Sequence, residues 1–197
     1  MRQHSRASPW TATRGWGLAG LLWLASLSAV AGAATRNQEI REYDLKAVFL
    51  FNFAQFVEWP PEAFLDSKAP LTIGILGDDP FGGSLDEVVA NETAHDRTLS
   101  IRRYRTIEEA EACHILFISA TEASRMESIL AALAHRSILT VGDSKDFTAH
   151  AGMVGFEVVG HRLRLRINRA AVNAAHLTIS SQLLRQAEVV NPPAARE

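Results

Sequence analysis

The chain has 197 residues but only one cysteine, and its charges almost balance. A single cysteine excludes an intramolecular disulfide scaffold and a cysteine-rich zinc ribbon. The formal net charge of −2 argues against a nucleic-acid-binding protein, because such proteins usually carry a basic excess. Apolar sequence is abundant: 47% of the residues are hydrophobic, which excludes general disorder. The length allows one domain, or two at most.

The motifs of the common enzyme classes are also missing. The sequence contains no Gly-x-Ser-x-Gly elbow, no Walker loop and no dinucleotide-binding glycine pattern. Its histidines lack the zincin spacing and have no CxxC partner, so we interpret them as surface or packed residues. Cys113 begins a very hydrophobic segment and is interpreted as buried and inert, with an intermolecular disulfide as the alternative. The sequence therefore offers no catalytic constellation.

The acidic pair Asp78-Asp79 follows a predicted strand, at the sheet edge where α/β proteins bind ligands. Such a pair resembles the metal site of a phospho-receiver domain. However, Ser119 stands where that chemistry needs an acceptor aspartate. We therefore interpret Asp79 as a turn and helix cap beside Pro80.

The first 33 residues have the three parts of a secretory signal peptide. Met1–Arg14 carries three arginines and no acid, Leu18–Val30 is almost wholly apolar, and Ala31-Gly32-Ala33 is a small-x-small cleavage pattern. The alternative is an uncleaved membrane anchor, but the apolar segment of about 13 residues is shorter than the roughly 20 that span a bilayer. We expect cleavage and a periplasmic protein. The expected organisation is a signal peptide over 1–33, a flexible tail over 34–41, one domain over 42–190 and a disordered tail over 191–197.

Apolar periodicity after the leader predicts an α/β fold. Ile40–Val57 has apolar residues around well over half of a helix and ends before Trp59-Pro60-Pro61. Short apolar strands then alternate with amphipathic helices, which is typical of βαβ units and a mostly parallel sheet flanked by helices. The predicted strands are Leu71–Leu76, Thr98–Arg105, Cys113–Ile118 and Ile138–Val141, and the main predicted helices between them are Phe81–Asn91 and Glu122–His135.

The C-terminal part breaks this alternation with an antiparallel hairpin. Met153–Val159 and Arg162–Ile167 flank the two-residue turn Gly160-His161. Such a turn pairs Val158 with Leu163, Glu157 with Arg164 and Phe156 with Leu165. Apolar residues then face apolar ones, and acid faces base. Asn168 is predicted to cap a final packing helix over Arg169–Glu188.

Two features of this region predict a contact surface. Arg162, Arg164 and Arg166 share one face of a strand, which is either solvated or a patch for an acidic partner. The first and last predicted helices carry more apolar surface than one contact with a sheet would bury. If this excess surface were exposed to solvent, it would favour aggregation. We predict partner contacts where the hairpin meets the last helix, with apolar side chains exposed there. The predicted contact residues are Phe147, Met153, Glu157, Arg164, Arg166 and Ile167.

Several stretches, taken in order, resemble the YfiR/HmsC-like family of periplasmic regulators. They include Leu45–Phe53, Phe56–Pro60, Ile73–Phe81, Cys113–Ser119, Gly152–Phe156 and Ser181–Leu184. The resemblance implies an α/β fold, a homodimer, and repression of an inner-membrane diguanylate cyclase through its periplasmic sensor part. It also implies that an outer-membrane-associated lipoprotein can draw the regulator away, which raises cyclic di-GMP and favours biofilm. Members with disulfides need partner cysteines that this chain does not have, so an intramolecular redox bond at Cys113 is not expected.

Three functions stand as hypotheses. The first is a non-enzymatic periplasmic regulator that represses a membrane signalling protein and uses no cofactor or metal. The second is a periplasmic small-molecule-binding sensor module that feeds a membrane receptor, with its ligand at the strand ends near Gly77–Phe81 and Ser119–Thr121. The third is an exported enzyme with an unfamiliar site, for which Asp78, Asp79 and His114 are the residues to test.

Overall fold

The computed structural model describes residues 38–39, 41–160 and 162–191. Residues 38–39 are helical and belong to a first unit of the chain, and the residues from 40 onward form a second, compact unit. The predicted signal peptide, part of the predicted N-terminal tail and nearly all of the predicted C-terminal tail therefore lie outside the described residues. Across the described ranges, no helix is both long enough and apolar enough to span a bilayer.

Strands and helices alternate along the chain as the periodicity predicts. In chain order the strands are β1 (Val57–Glu58), β2 (Leu71–Leu76), β3 (Thr93–Ala94), β4 (Arg97–Tyr104), β5 (Ile115–Ile118), β6 (Leu139–Gly142), β7 (Val154–Val159), β8 (Arg162–Asn168), β9 (Thr178–Ile179) and β10 (Ala187–Val190). The α-helices are α1 over 41–56, α2 (Ser84–Val89), α3 (Met126–Ala132), α4 (Arg169–Ala174) and α5 (Ser181–Leu184). Single 3₁₀ segments cover Pro61–Ala63, Glu108–Ala112 and Ala120–Arg125.

One eight-stranded sheet has the order β10-β8-β7-β6-β5-β2-β4-β3. The neighbours from β7 through β6, β5 and β2 to β4 are parallel, as are β10 and β8. The hairpin β7–β8 and the short β3–β4 pair are antiparallel, and β1 pairs with β9 in a separate two-stranded sheet. The predicted architecture, a mostly parallel sheet with helices and a C-terminal antiparallel hairpin, is confirmed.

Helix α1 packs one apolar stripe against the sheet. Ala47, Leu50, Phe53 and Ala54 are fully buried, and the Phe53 ring stacks on Phe156 of β7 with centroids 6.0 Å apart. The prediction of a helix here is confirmed, except that its last predicted residue belongs to β1. The aromatic residues beside this stripe are half-buried against the same core, and of the large apolar side chains of α1 only Leu45 and Val48 are exposed, at 45% and 41%.

The β7–β8 hairpin has the predicted register. Phe156 pairs with Leu165, Glu157 with Arg164, and Val158 with Leu163. The turn contains Gly160 at φ +55°, a left-handed conformation that glycine adopts without steric cost. This register buries Phe156 and Leu165, and a shift by one residue would turn both toward solvent.

The predicted final helix over Arg169–Glu188 is wrong. The predicted cap is present, because the Asn168 side chain accepts the N–H of Ala171 at 3.1 Å, but α4 ends at Ala174. His176 is left-handed at φ 58°, which stops the helix, and the chain continues as β9, α5 and β10. Tertiary strand pairing overrides helix propensity in this segment: β9 pairs with β1 and β10 with β8. The two other predicted helices are also shorter, at Ser84–Val89 and Met126–Ala132.

Candidate functional site

Three of the predicted contact residues lie in the core. Phe147, Met153 and Ile167 are 2%, 6% and 0% exposed, so the expectation of exposed apolar side chains at these positions is wrong. The Phe147 ring fills the space beside Gly142, where an added Cβ would lie 2.5 Å from a ring carbon. Ile167 points into the sheet interior as one of the alternating apolar residues of β8. These three side chains are part of the core that underlies the hairpin.

The polar members of the predicted set lie at the surface. Glu157 and Arg164 are exposed and stand opposite each other on β7 and β8. Arg166 is half-buried, and its guanidinium lies 3.7 Å from a carboxylate oxygen of Glu188 on β10. At the hairpin end, two valines are 48% and 41% exposed. Val158 lies on the face of Phe156, because successive residues of a strand point to opposite faces. We call the residues on the other face the hairpin surface; it consists of Glu157, Val159, Arg164 and Arg166.

A buried ion pair connects helix α1 to the end of β6. Lys46 is 2% exposed, and its ammonium lies 2.6 Å from Asp143 Oδ2 and 2.7 Å from Glu42 Oε1. The Tyr43 hydroxyl donates to the same Asp143 oxygen at 2.9 Å. This cluster was not predicted from the sequence. Its one local signal was a lysine inside an otherwise apolar helical stripe, since buried lysines almost always have partners.

A pocket of about 240 Å³ lies next to this ion pair. One wall is the connection between β6 and β7, with Asp143, Ser144 and Lys145. The other wall is the hairpin, with Glu157 from β7 and Arg166 from β8. Strand β7 extends beyond the last residue of β6, because its Gly155 pairs with Gly142. Phe156, Glu157 and Val158, in the part of β7 that extends past β6, line the pocket.

At the strand ends near Gly77–Phe81, both carboxylate oxygens of Asp79 already have partners within the protein. Asp79 Oδ1 accepts the N–H of Phe81 at 2.8 Å, and Asp79 Oδ2 binds the guanidinium of Arg103 at 2.7 Å. Hydrogen bonds to Asp86 and then Asp79 raise the pKa of Arg103, so this cation stays charged. The bond to the N–H of Phe81 confirms the turn predicted at Asp79. The predicted helix cap is wrong, because α2 begins after Gly83 and receives no hydrogen bond from a capping side chain.

Cys113 and His114 are both buried and held in neutral form. The Cys113 thiol donates to the carbonyl of Ala110 at 3.1 Å, and burial raises its pKa to about 12. A thiol with that pKa is a poor nucleophile, in agreement with the inert role predicted for it. Burial lowers the pKa of His114 to about 4, and its Nδ1 accepts the N–H of Thr72 at 3.1 Å. Among the described residues, no group of three or more His, Cys, Asp or Glu side chains could hold a metal ion.

A protein-family model matches most of the chain. A model described as YfiR/HmsC-like matches residues 43–188, which is well over half of the sequence. No curated protein matches the chain. The matched range contains α1 from Tyr43 onward, the eight-stranded sheet except the last residues of β10, and the whole hairpin surface.

Proposed function

The chain belongs to the YfiR/HmsC-like family, and from this premise we propose that it represses an inner-membrane diguanylate cyclase by binding its periplasmic part. Membership of this family suggests a periplasmic regulator of diguanylate cyclase signalling. The finer proposal is that binding lowers cyclic di-GMP output and that no bond is made or broken. We further propose a homodimer in the periplasm, released from the cyclase when an outer-membrane-associated lipoprotein binds it.

The hairpin surface is the part of the molecule that we propose contacts the cyclase. Arg164 presents an exposed guanidinium, whose planar fork pairs with carboxylates in two parallel hydrogen bonds. Val159 is 41% exposed and lies on the same face of the hairpin as Arg164, and the burial of apolar surface is the dominant favourable contribution to most protein association. This combination of arginine and apolar surface is the observation that supports the placement.

The buried residues of the predicted set have a different role in this proposal. Phe147, Met153 and Ile167 hold the shape of the hairpin from below, so changing them would alter partner binding through folding. Substitutions that probe binding therefore belong at exposed positions. Glu157 and Arg164 meet this condition, because both are exposed and neither contributes an apolar side chain to the core.

A membrane pull-down with charge-reversed variants tests the proposal. The purified protein, Arg164→Glu and the control Arg102→Glu are incubated with membranes that contain the candidate cyclase. Arg102 is the matched control because it is an exposed arginine on β4, near the opposite edge of the sheet. We expect Arg164→Glu to lose about tenfold or more of the captured cyclase at an unchanged melting temperature, since a like charge at an interface costs several kcal/mol.

Cyclic di-GMP in intact cells gives the second measurement. Cells that express Arg164→Glu should contain more cyclic di-GMP than cells that express the wild type or Arg102→Glu. Equal capture and equal cyclic di-GMP for all three proteins would place the contact elsewhere. Turnover of a substrate by the purified protein would contradict the binding-only mechanism.

A further inference from the structure

The loop before β2 presents the most exposed large apolar side chain in the described part of the chain. Leu65 is 99% exposed, and the next most exposed, Val158, reaches only 48%. We call residues 64–69 the Leu65 loop; they lie between a 3₁₀ segment and β2. Single exposed leucines are common on protein surfaces, but this one stands on a fixed loop and beside an apolar pocket.

Hydrogen bonds hold the backbone of the Leu65 loop in place. Arg97 donates through Nη1 to the carbonyl of Asp66 at 2.9 Å and to the carbonyl of Ala69 at 2.7 Å. The Asp66 carboxylate accepts the N–H of Lys68 at 2.7 Å. A loop that is fixed in the free protein loses less conformational entropy when it enters an interface. The leucine is therefore presented in a form that is prepared for binding.

A pocket of about 350 Å³ lies beside the loop and includes Phe64 in its lining. Its apolar walls are the rings of Trp59, Pro61 and Phe64; we call it the Trp59 pocket. The indole N–H of Trp59 donates to the carbonyl of His114 at 3.1 Å, and the Phe64 ring stacks on the His114 ring with centroids 4.3 Å apart. These contacts fix the walls, so the pocket exists before anything binds, and its volume exceeds that of a leucine side chain.

A protruding leucine next to an apolar pocket makes this patch complementary to a second copy of itself. Leu65 is almost wholly in solvent, so it does not fill the pocket of its own molecule. In a two-fold dimer the same patch serves both copies, and each contact occurs twice. Each copy can therefore place its leucine in the Trp59 pocket of the other. The burial of apolar surface, which drives most protein association, is then gained twice.

The charged side chains of the loop also have complements at the pocket. Lys68 is exposed on the loop, and Glu58 is exposed in the pocket lining; neither forms an ion pair within the described ranges. Arg97, the cation of the lining, donates to neutral carbonyls, so its charge is open to a carboxylate such as that of Asp66. Glu62 is exposed nearby without such a complement. Opposite pairs, and not the net charge of the patch, would fix the register of two copies.

We propose that two copies of the chain associate about a two-fold axis through this patch. Leu65 of each copy enters the Trp59 pocket of the other, and Lys68 of each copy pairs with Glu58 at the rim of that pocket. This proposal assigns a surface to the homodimer proposed above. It does not involve the cyclase contact, because none of these residues belongs to the hairpin surface.

Sedimentation equilibrium of the purified protein tests the role of the leucine. We expect the wild type to form dimers at micromolar concentration. Leu65→Ser should raise the dissociation constant of the dimer about a hundredfold or more, because the dimer loses both of its central apolar side chains. The matched control is Leu45→Ser, which removes a leucine that is 45% exposed on α1; it should dimerise like the wild type. Circular dichroism spectra of both variants should match that of the wild type.

Charge-reversed variants test whether the contact joins two copies. Lys68→Glu and Glu58→Lys each place like charges at both rim contacts of a homodimer, so each should raise the dissociation constant about tenfold. An equimolar mixture of the two variants has opposite charges at both rim contacts. It should form a heterodimer with about the dissociation constant of the wild type. A variant that had only lost its fold would not be rescued by mixing.

Four results would overturn the proposal. They are a wild type that stays monomeric at high micromolar concentration, a dimer that survives Leu65→Ser, dissociation by Leu45→Ser in place of Leu65→Ser, and a mixture of the charge-reversed variants that dimerises no better than either alone. Capture of the candidate cyclase by Leu65→Ser is measured in parallel. A wild type that captures the cyclase as a monomer would overturn this interface and leave the cyclase contact standing, so the two proposals fail separately.

Discussion

Weak acid should destabilise the protein through one buried histidine. The side chain of His114 is 6% exposed, stacks on Phe64 with ring centroids 4.3 Å apart, and accepts the N–H of Thr72 through Nδ1. Burial lowers its pKa to about 4 from the ordinary 6.5, an effect that the backbone of Ala63 only partly offsets. Protonation in the folded state would remove the acceptor of Thr72 and bury a charge.

The sign and the size of the effect follow from linkage. Above pH 6.5 the histidine is neutral in both the folded and the unfolded chain, and its contribution to stability is fully present. Between pH 6.5 and about pH 4 the unfolded chain binds a proton that the folded chain does not, so the free energy of unfolding falls. The loss from this residue is about 2 kcal/mol between pH 7 and pH 5, and about 3 kcal/mol by pH 4.

Urea unfolding of three proteins at pH 7 and pH 5 measures this contribution. In His114→Asn the amide oxygen can accept the N–H of Thr72 but does not titrate, so about 2 kcal/mol of the pH dependence should disappear. The control is His176→Asn: this histidine is exposed, and asparagine tolerates its left-handed φ of 58°. The control should keep the pH dependence of the wild type. Equal pH dependence of wild type and His114→Asn would refute the reasoning.

Three further predictions concern the ion pair, a glycine beside an aromatic ring, and the buried cysteine. Lys46→Met should lower the free energy of unfolding by about 3–5 kcal/mol, since it leaves the Asp143 carboxylate buried without its cation; adding Asp143→Asn should recover part of this loss in urea titrations. Gly142→Ala should destabilise by about 1–3 kcal/mol, because the new methyl would lie 2.5 Å from an aromatic ring. Gly83→Ala, with its nearest neighbour at 3.9 Å, should leave the melting temperature nearly unchanged. Cys113 should react with a thiol reagent only when the chain opens, and rapid alkylation of the native protein would contradict its burial.

The hairpin register could be predicted because both of its strands carry their own signal. Apolar and polar residues alternate on each side of Gly160, and only one register sets Glu157 against Arg164 while burying Phe156. Side chains along a strand alternate between the two faces of the sheet, so one known pair of residues determines which face every other residue occupies. The parallel strands β2, β5 and β6 were predictable for a related reason, since a strand buried on both faces is a short continuous apolar run.

The segment after β8 could not be predicted in the same way. Its residues tolerate a helix, and Asn168 does start one. The decisive partners are remote: β9 pairs with β1, which is more than a hundred residues earlier, and the N–H of Ser180 bonds to the carbonyl of Phe56. Only the β-branched residues at Thr178-Ile179 and at Val189-Val190 hinted at strands. Local propensity therefore gave the wrong element where long-range pairing decides the structure.

The candidate site likewise has residues that local sequence patterns predict and residues that only long-range contacts bring together. Arg164 and Arg166 could be predicted because arginines alternate with apolar residues along β8, and Glu157 because the hairpin register sets it opposite Arg164. Both signals are local. The contact of Lys46 with Asp143 joins residues 97 positions apart, and neither residue's neighbours indicate it. A buried ion pair is weak evidence for stability, because its desolvation can exceed its attraction. Its value here is positional: it fixes α1 against the end of β6. The site thus depends on a pairing that the folded chain creates and that no short stretch of sequence contains.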